Sequence, residues 1–168
     1  MKQESLLSLS LFNVFINDLL LSLKQTQTGA QIGQLKIHSC AYADDVNVLS
    51  LTASGLQKLI DKCLDYACQW RFKFGWSKTK CICIGKPLLK SPPTWNFAGN
   101  TLTLSDSVEI LGVHVNSSLN YSKHIDNRIR ACRGSIFRLA SVGMSYPGLR
   151  ADAKAYLWKS VGAPVLSY

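Results

Sequence analysis

Residues 35–51 read LKIHSCAYADDVNVLSL, and the fold turns on how that stretch is understood. Two β-prone runs, Leu35 to Tyr42 and Val46 to Leu51, flank Ala43-Asp44-Asp45, which predicts a β-hairpin with the acidic pair at its tip. Neighbours in a regular strand face opposite ways, but at a tight turn the chain reverses and both carboxylates approach one region of space. Two adjacent carboxylates repel, so if partly buried they need a cation or a basic side chain. Mg²⁺ is the natural cation for an oxygen-rich site with phosphate ligands. Two such ions about 3.5–4 Å apart activate a hydroxyl and stabilise a leaving pyrophosphate. On the dipeptide alone a plain solvated turn competes, because Asp is common in turns.

Working outward, Phe12, Phe15, Ile16, Leu19, Leu20 and Leu23 recur at helical spacing, and a polar connector from Gln25 to Gly33 follows. Beyond the hairpin, Thr52 or Ser54 caps a helix whose apolar residues are Leu56, Leu59, Ile60, Cys63, Leu64, Ala67 and Trp70. Gly75 ends that element. Ser77 to Ile84 alternates as a strand, with Cys81 and Cys83 on one face, and Pro87, Pro92 and Pro93 mark a surface connection. Trp95-Asn96-Phe97 and Thr101 to Leu104 flank Gly99-Asn100 as a second hairpin, and Val108 to Val115 reads as one more strand. Two helices close the chain, one through Ile125, Ile129, Cys132, Ile136 and Leu139, the other beginning near Pro147. The order predicts an α+β fold: a largely antiparallel sheet with helices on one face, then a mostly helical tail from near Asn116.

Composition narrows the function classes. The 168 residues carry a net charge of +9, which suits a polyanionic partner or an anionic surface. That excess is uneven: residues 1–50 hold 3 basic and 4 acidic groups, residues 51–100 hold 8 and 2, and residues 101–168 hold 8 and 4. The acidic pair therefore lies in the part that is not basic. Six cysteines without a CxxC pair, and three histidines without HExxH or finger spacing, point to reduced thiols rather than a zinc site or disulfide framework. Asn13, Asn17 and Asp18 interrupt the leucine-rich run from Leu6 to Leu23, so neither a membrane span nor a signal peptide is expected, and an intracellular location is.

The longer string AYADDVNVLS resembles the YxDD catalytic hairpin of reverse transcriptases, especially those of non-LTR, LINE-like retrotransposons. Neighbouring strings match that family in order. KQESLLSLSLFNVFINDL is similar to the segment before the hairpin, and GLQKLIDKCLDYACQW to the helix after it. SKTKCICIGK resembles the lysine-bearing strand, and WNFAGNTLTLSDSVEILGVHV the hairpin and LGV segment near the primer. HIDNRIRAC and LRADAKAYLWKSVGAPVLSY resemble the start of the thumb.

The resemblance implies a partial palm over residues 1–115 and the start of a helical thumb over 116–168. It implies Asp44 as the principal metal-binding carboxylate with Asp45 beside it, Mg²⁺ or Mn²⁺ as cofactor, and an RNA or DNA template–primer as partner. Tyr42 and the Leu111-Gly112-Val113 segment fall on the primer side, and Gln3, Ser5 and Lys78 on the template and nucleotide side. Four departures stand out: Glu4 where the family has glycine, Leu9 where it has proline, Gly75 for asparagine and Glu109 for an aromatic. The family also uses a further aspartate on an upstream palm strand and basic fingers residues, neither of which occurs here. The expectation is a truncated polymerase domain, inactive alone. The rivals are a basic nucleic-acid-binding module, with Trp70, Trp76 and Trp95 as candidate stacking groups, and a retroelement remnant with no selected function.

Overall fold

A computed structural model describes residues 6–85 and 92–167. The chain divides into two compact units, one of Met1–Cys81 with Leu88–Leu104, the other of Ile82–Pro87 with Ser105–Tyr168.

In the first unit, helix α1 (Leu6–Gln25) is followed by strands β1 (Ala30–Ile32), β2 (Leu35–Ile37), β3 (Ser39–Tyr42) and β4 (Asp45–Val48). Helix α2 (Ala53–Gln69), a 3₁₀ turn (Trp76–Lys78) and strands β5 (Trp95–Phe97) and β6 (Asn100–Leu102) complete it. Thr52 caps α2, its hydroxyl accepting from Gly55 N–H at 3.1 Å. The helix buries two faces. Leu59, Cys63 and Tyr66 meet Ile16, Leu19 and Leu23 of α1, with Val46 and Val48 of β4 alongside. Ile60 meets Trp95, Phe97, Leu102 and Cys81. Polar groups fix both contacts: Tyr66 O–H donates to Phe15 C=O at 2.6 Å, and Trp95 Nε1–H donates to Ala53 C=O at 2.8 Å. The opposite side of α1 leaves Leu11, Val14 and Leu21 exposed.

The second unit holds β7 (Ser107–Ile110), β8 (Val113–Asn116), α3 (Ser122–Leu139), α4 (Ala151–Leu157) and α5 (Ala163–Ser167). Its side-chain core is thin, built on Val108 and Cys132. A π-helical stretch, Trp158–Gly162, joins α4 to α5, with Ala163 N–H reaching back five residues to Trp158 C=O. Widening there makes room for Pro164, which lacks a donor and would crowd a carbonyl of the preceding turn.

The mixed α+β class holds, but several sequence expectations need correction. The strands form four separate two-stranded antiparallel sheets, with no continuous sheet among the described residues. Alternation fixes which face of a strand is buried and leaves open which edges pair. Leu35 to Tyr42 is two strands broken at His38, and β1–β2 is a hairpin placed where a connector was expected. Ser77 to Ile84 is not a strand. Thr79 Oγ1 donates to Gly75 C=O at 2.9 Å, closing the 3₁₀ turn, and only Cys81 makes a β-bridge, to Leu104. Val108 to Val115 is a hairpin turning at Leu111-Gly112, both at positive φ (49° and 79°), which is the twist a two-residue turn needs. The helix expected from near Pro147 is α4, which starts at Ala151. Pro147 follows the first residue of a turn closed by Leu149 N–H to Tyr146 C=O at 3.1 Å.

Candidate active-site hairpin

Strands β3 and β4 pair in the register Ser39↔Val48, Cys40↔Asn47, Ala41↔Val46 and Tyr42↔Asp45. Directly opposed residues share a face. Val46 and Val48 pack against the α1–α2 core, so Cys40, Tyr42, Asp45 and Asn47 take the outward face. Burial of the two valines thus decides the direction of the acidic residues. Tyr42 is 65% exposed, and Asp44 and Asp45 are both exposed. Ala43 begins the turn at φ 47°, a left-handed conformation unusual for a residue with a Cβ. The turn puts Asp44 at the tip and Asp45 at the first position of β4, beside Tyr42 on the opposing strand.

Neither carboxylate takes a salt bridge among the described residues, where the sole ion pair joins Arg150 to Asp152 at 2.8 Å. Hard, anionic oxygens at the apex of a fixed hairpin are the right donors for Mg²⁺ or Mn²⁺, which complete their shells with water and phosphate oxygens. The donor set fits in kind and falls short in number. No group of three or more His, Cys, Asp or Glu able to hold a metal occurs among the described residues.

The other expected site residues are spread out. Lys78 is exposed and ends the 3₁₀ turn of the same unit. Leu111 and Gly112 form the β7–β8 turn and Val113 opens β8, all in the second unit, where Gly112 C=O accepts from Arg128 Nη2 at 3.1 Å. Gln3, Ser5 and Glu4 lie outside the described residues. Asp18, on α1, is exposed.

Sequence reasoning missed His38, which sits between β2 and β3 with its backbone carbonyl accepting from Leu49 N–H at 2.8 Å. It is buried, and its Nε2 finds no partner. Burial pushes its pKa below the usual histidine range, with help from the charges of Lys36 and Lys24. Gly29 makes the pocket possible: a Cβ there would stand 2.6 Å from Ile37 C=O and 3.0 Å from the His38 ring. The break in alternation at His38-Ser39 was the available signal. No helix among the described residues is long and apolar enough to cross a membrane.

Comparison with known proteins places these features. Residues 1–115 match the family model described as "Reverse transcriptase (RNA-dependent DNA polymerase)". The chain is 25% identical over 173 residues to the RNA-directed DNA polymerase from mobile element jockey of Drosophila melanogaster, covering 99% of this chain and 18% of that protein. Its counterpart in Drosophila funebris is 24% identical over 172 residues, with 99% and 18% covered. A retrovirus-related Pol polyprotein from type-2 retrotransposable element R2DM of Drosophila melanogaster is 36% identical over 84 residues, half of this chain and 8% of that one. The chain thus spans about a fifth of the jockey proteins it matches. No solved structure matches it. With the family model spanning the hairpin, both long helices of the first unit and the strands through β7, the chain belongs to the reverse transcriptase family and its relatives are non-LTR, LINE-like retroelement proteins.

Proposed function

We propose that this chain carries the catalytic hairpin and following elements of an RNA-directed DNA polymerase palm over residues 1–115, with residues 116–168 opening the thumb. Asp44 and Asp45 would hold Mg²⁺ or Mn²⁺, and bound metal would supply charge neutralisation for nucleotidyl transfer on a template–primer. Tyr42 would support the primer end from the outward face, with Leu111, Gly112 and Val113 along the primer. Gln3, Ser5 and Lys78 would face the template and incoming nucleotide. A cation at Lys78 would offset charge on the triphosphate.

The observation that carries this reading is the exposed carboxylate pair at the tip of a hairpin anchored by Val46 and Val48, inside a 115-residue family match. The same geometry argues against synthesis by these residues alone. Two-metal transfer needs ions fixed relative to the attacking and leaving oxygens, and small misplacements are costly. The described residues offer a pair of carboxylates and no third beside them. The exposed line Leu11, Val14 and Leu21 supports a role within a larger assembly.

Two measurements test this. Titration of the chain with Mn²⁺, followed by NMR, should broaden amide signals around residues 42–47, and Asp44→Asn should abolish the effect; uniform or absent broadening would overturn the metal-site reading. Purified chain given primer–template, four deoxynucleotides and Mg²⁺ or Mn²⁺ should not extend the primer. Extension that disappears in Asp44→Asn would show the carboxylate set to be complete without further chain.

A further inference from the structure

The segment from Trp70 to Lys80 has a second chemistry that the hairpin does not use. Phe72 and Phe74 are held inward: Phe72 packs on Phe15 and Tyr66 at ring separations of 5.8 and 6.1 Å, and on Phe74 at 5.1 Å. Lys73, between two phenylalanines that pack on the core, is left facing outward, and Arg71 is turned out by the left-handed backbone (φ 56°) that ends α2. Beyond the 3₁₀ turn, burial of Cys81 does the same for Lys80. Arg71, Lys73, Lys78 and Lys80 are all exposed, and none takes an ion pair among the described residues. Two tryptophans accompany them. Trp70 is 50% exposed with its ring propped edge-on against Phe15, and Trp76 is 38% exposed and lies against Phe97 at 5.7 Å. Trp95, the third candidate for stacking, is buried and committed to its bond with Ala53.

Rigidly backed, half-exposed indoles interleaved with unpaired cations are the two components of a sequence-tolerant single-strand site: cations neutralise phosphates and ring faces stack on bases. A duplex keeps its bases stacked on one another and has no free ring face to give. A surface evolved only for solubility has no use for two propped indoles. We infer that residues 70–80 form a strap that binds single-stranded nucleic acid, separate from the Asp44-Asp45 hairpin and independent of metal. Arg71, Lys73 and Lys80 have no part in the nucleotide-side role given to Lys78, so the two readings can fail separately.

The test is fluorescence anisotropy of the full chain with a labelled 20-nucleotide single strand, in EDTA, across a salt series, with indole emission recorded in parallel. Binding should quench the indoles and persist in Asp44→Asn. The triple variant Arg71→Gln, Lys73→Gln, Lys80→Gln should lower the magnitude of the log-affinity against log-salt slope by about 2, from roughly 0.7 per phosphate contact on a single strand. The charge-keeping set Arg71→Lys, Lys73→Arg, Lys80→Arg should restore it, which separates charge loss from misfolding. Neutralising Arg130, Arg133 and Arg138 on α3 should change the slope and the quenching less. An unchanged slope in the strap triple, binding lost only in the α3 triple, or a duplex bound equally tightly without quenching would each overturn the strap.

Discussion

The two units spend their apolar residues differently. In the first, α2 is a spine with two buried faces, and α1, β4, β5 and β6 each bring side chains to it. In the second, an 18-residue α3 buries Cys132 while Ile125 and Phe137 remain exposed, as do Tyr146 and Tyr156 further on. Its connections are largely polar: Arg128 to Gly112 C=O, a long contact of 3.5 Å from His114 N–H to His124 Nδ1, and Cys132 Sγ–H to Gly162 C=O at 3.4 Å. Buried apolar area is the main source of stability, and segments with little of it open locally at low cost. The comparison teaches that the acidic hairpin rides on the part of the molecule best able to hold two carboxylates in place.

The difference can be broken first at its centre. Leu59 is fully buried between α1 and α2, so Leu59→Ala should cost about 2–5 kcal/mol. In a urea melt followed by hydrogen exchange, the first unit should lose protection. Cys132→Ala, trimming a single sulfur in the second unit, should cost about 1 kcal/mol or less by the same logic of deleted atoms. Equal losses for the two variants would mean that the units do not differ in packing.

A smaller effect follows from acid. The folded-state pKa of His38 lies below the ordinary 6.5, so the unfolded chain binds a proton more readily. Its contribution is full above that ordinary value and falls away as pH drops through it toward the folded-state pKa. Denaturant midpoints of the first unit should therefore fall between pH 7.5 and 5.5, and His38→Gln should flatten that dependence. Parallel decline in parent and variant would assign the acid sensitivity elsewhere.

The mildest probe leaves stability untouched. Cys63 is buried in the first core and its thiol is pushed up to about 12 by burial, whereas Cys40 and Cys68 are exposed. With a thiol reagent at pH 8, Cys40 and Cys68 should label first, Cys132 next through local opening, and Cys63 last. Labelling of Cys63 ahead of Cys132 would reverse the ranking of the two units.

Local pattern made much of this legible. The periods of α1 and α2, the Thr52 cap, the acidic turn between β3 and β4, and the Gly99 turn all follow from side-chain spacing and from which residues tolerate a reversal. The ordered motifs likewise carried the family. Spacing could not settle matters in which one segment answers to another. The Ser77 to Ile84 alternation became a 3₁₀ turn and a lone bridge, and Leu111-Gly112 became a turn rather than a strand. Four hairpins stood in place of one sheet.

What the sequence by itself determined is the set of parts: two carboxylates side by side, the helices around them and the cations after them. Tertiary structure alone decided their directions. Val46 and Val48 had to find the α1–α2 core before Asp45 and Tyr42 were committed to solvent, and Phe72 and Phe74 had to pack on that core before Lys73 between them was turned out. A side chain's direction depends on which neighbour it can bury against, and that neighbour is often distant in the chain.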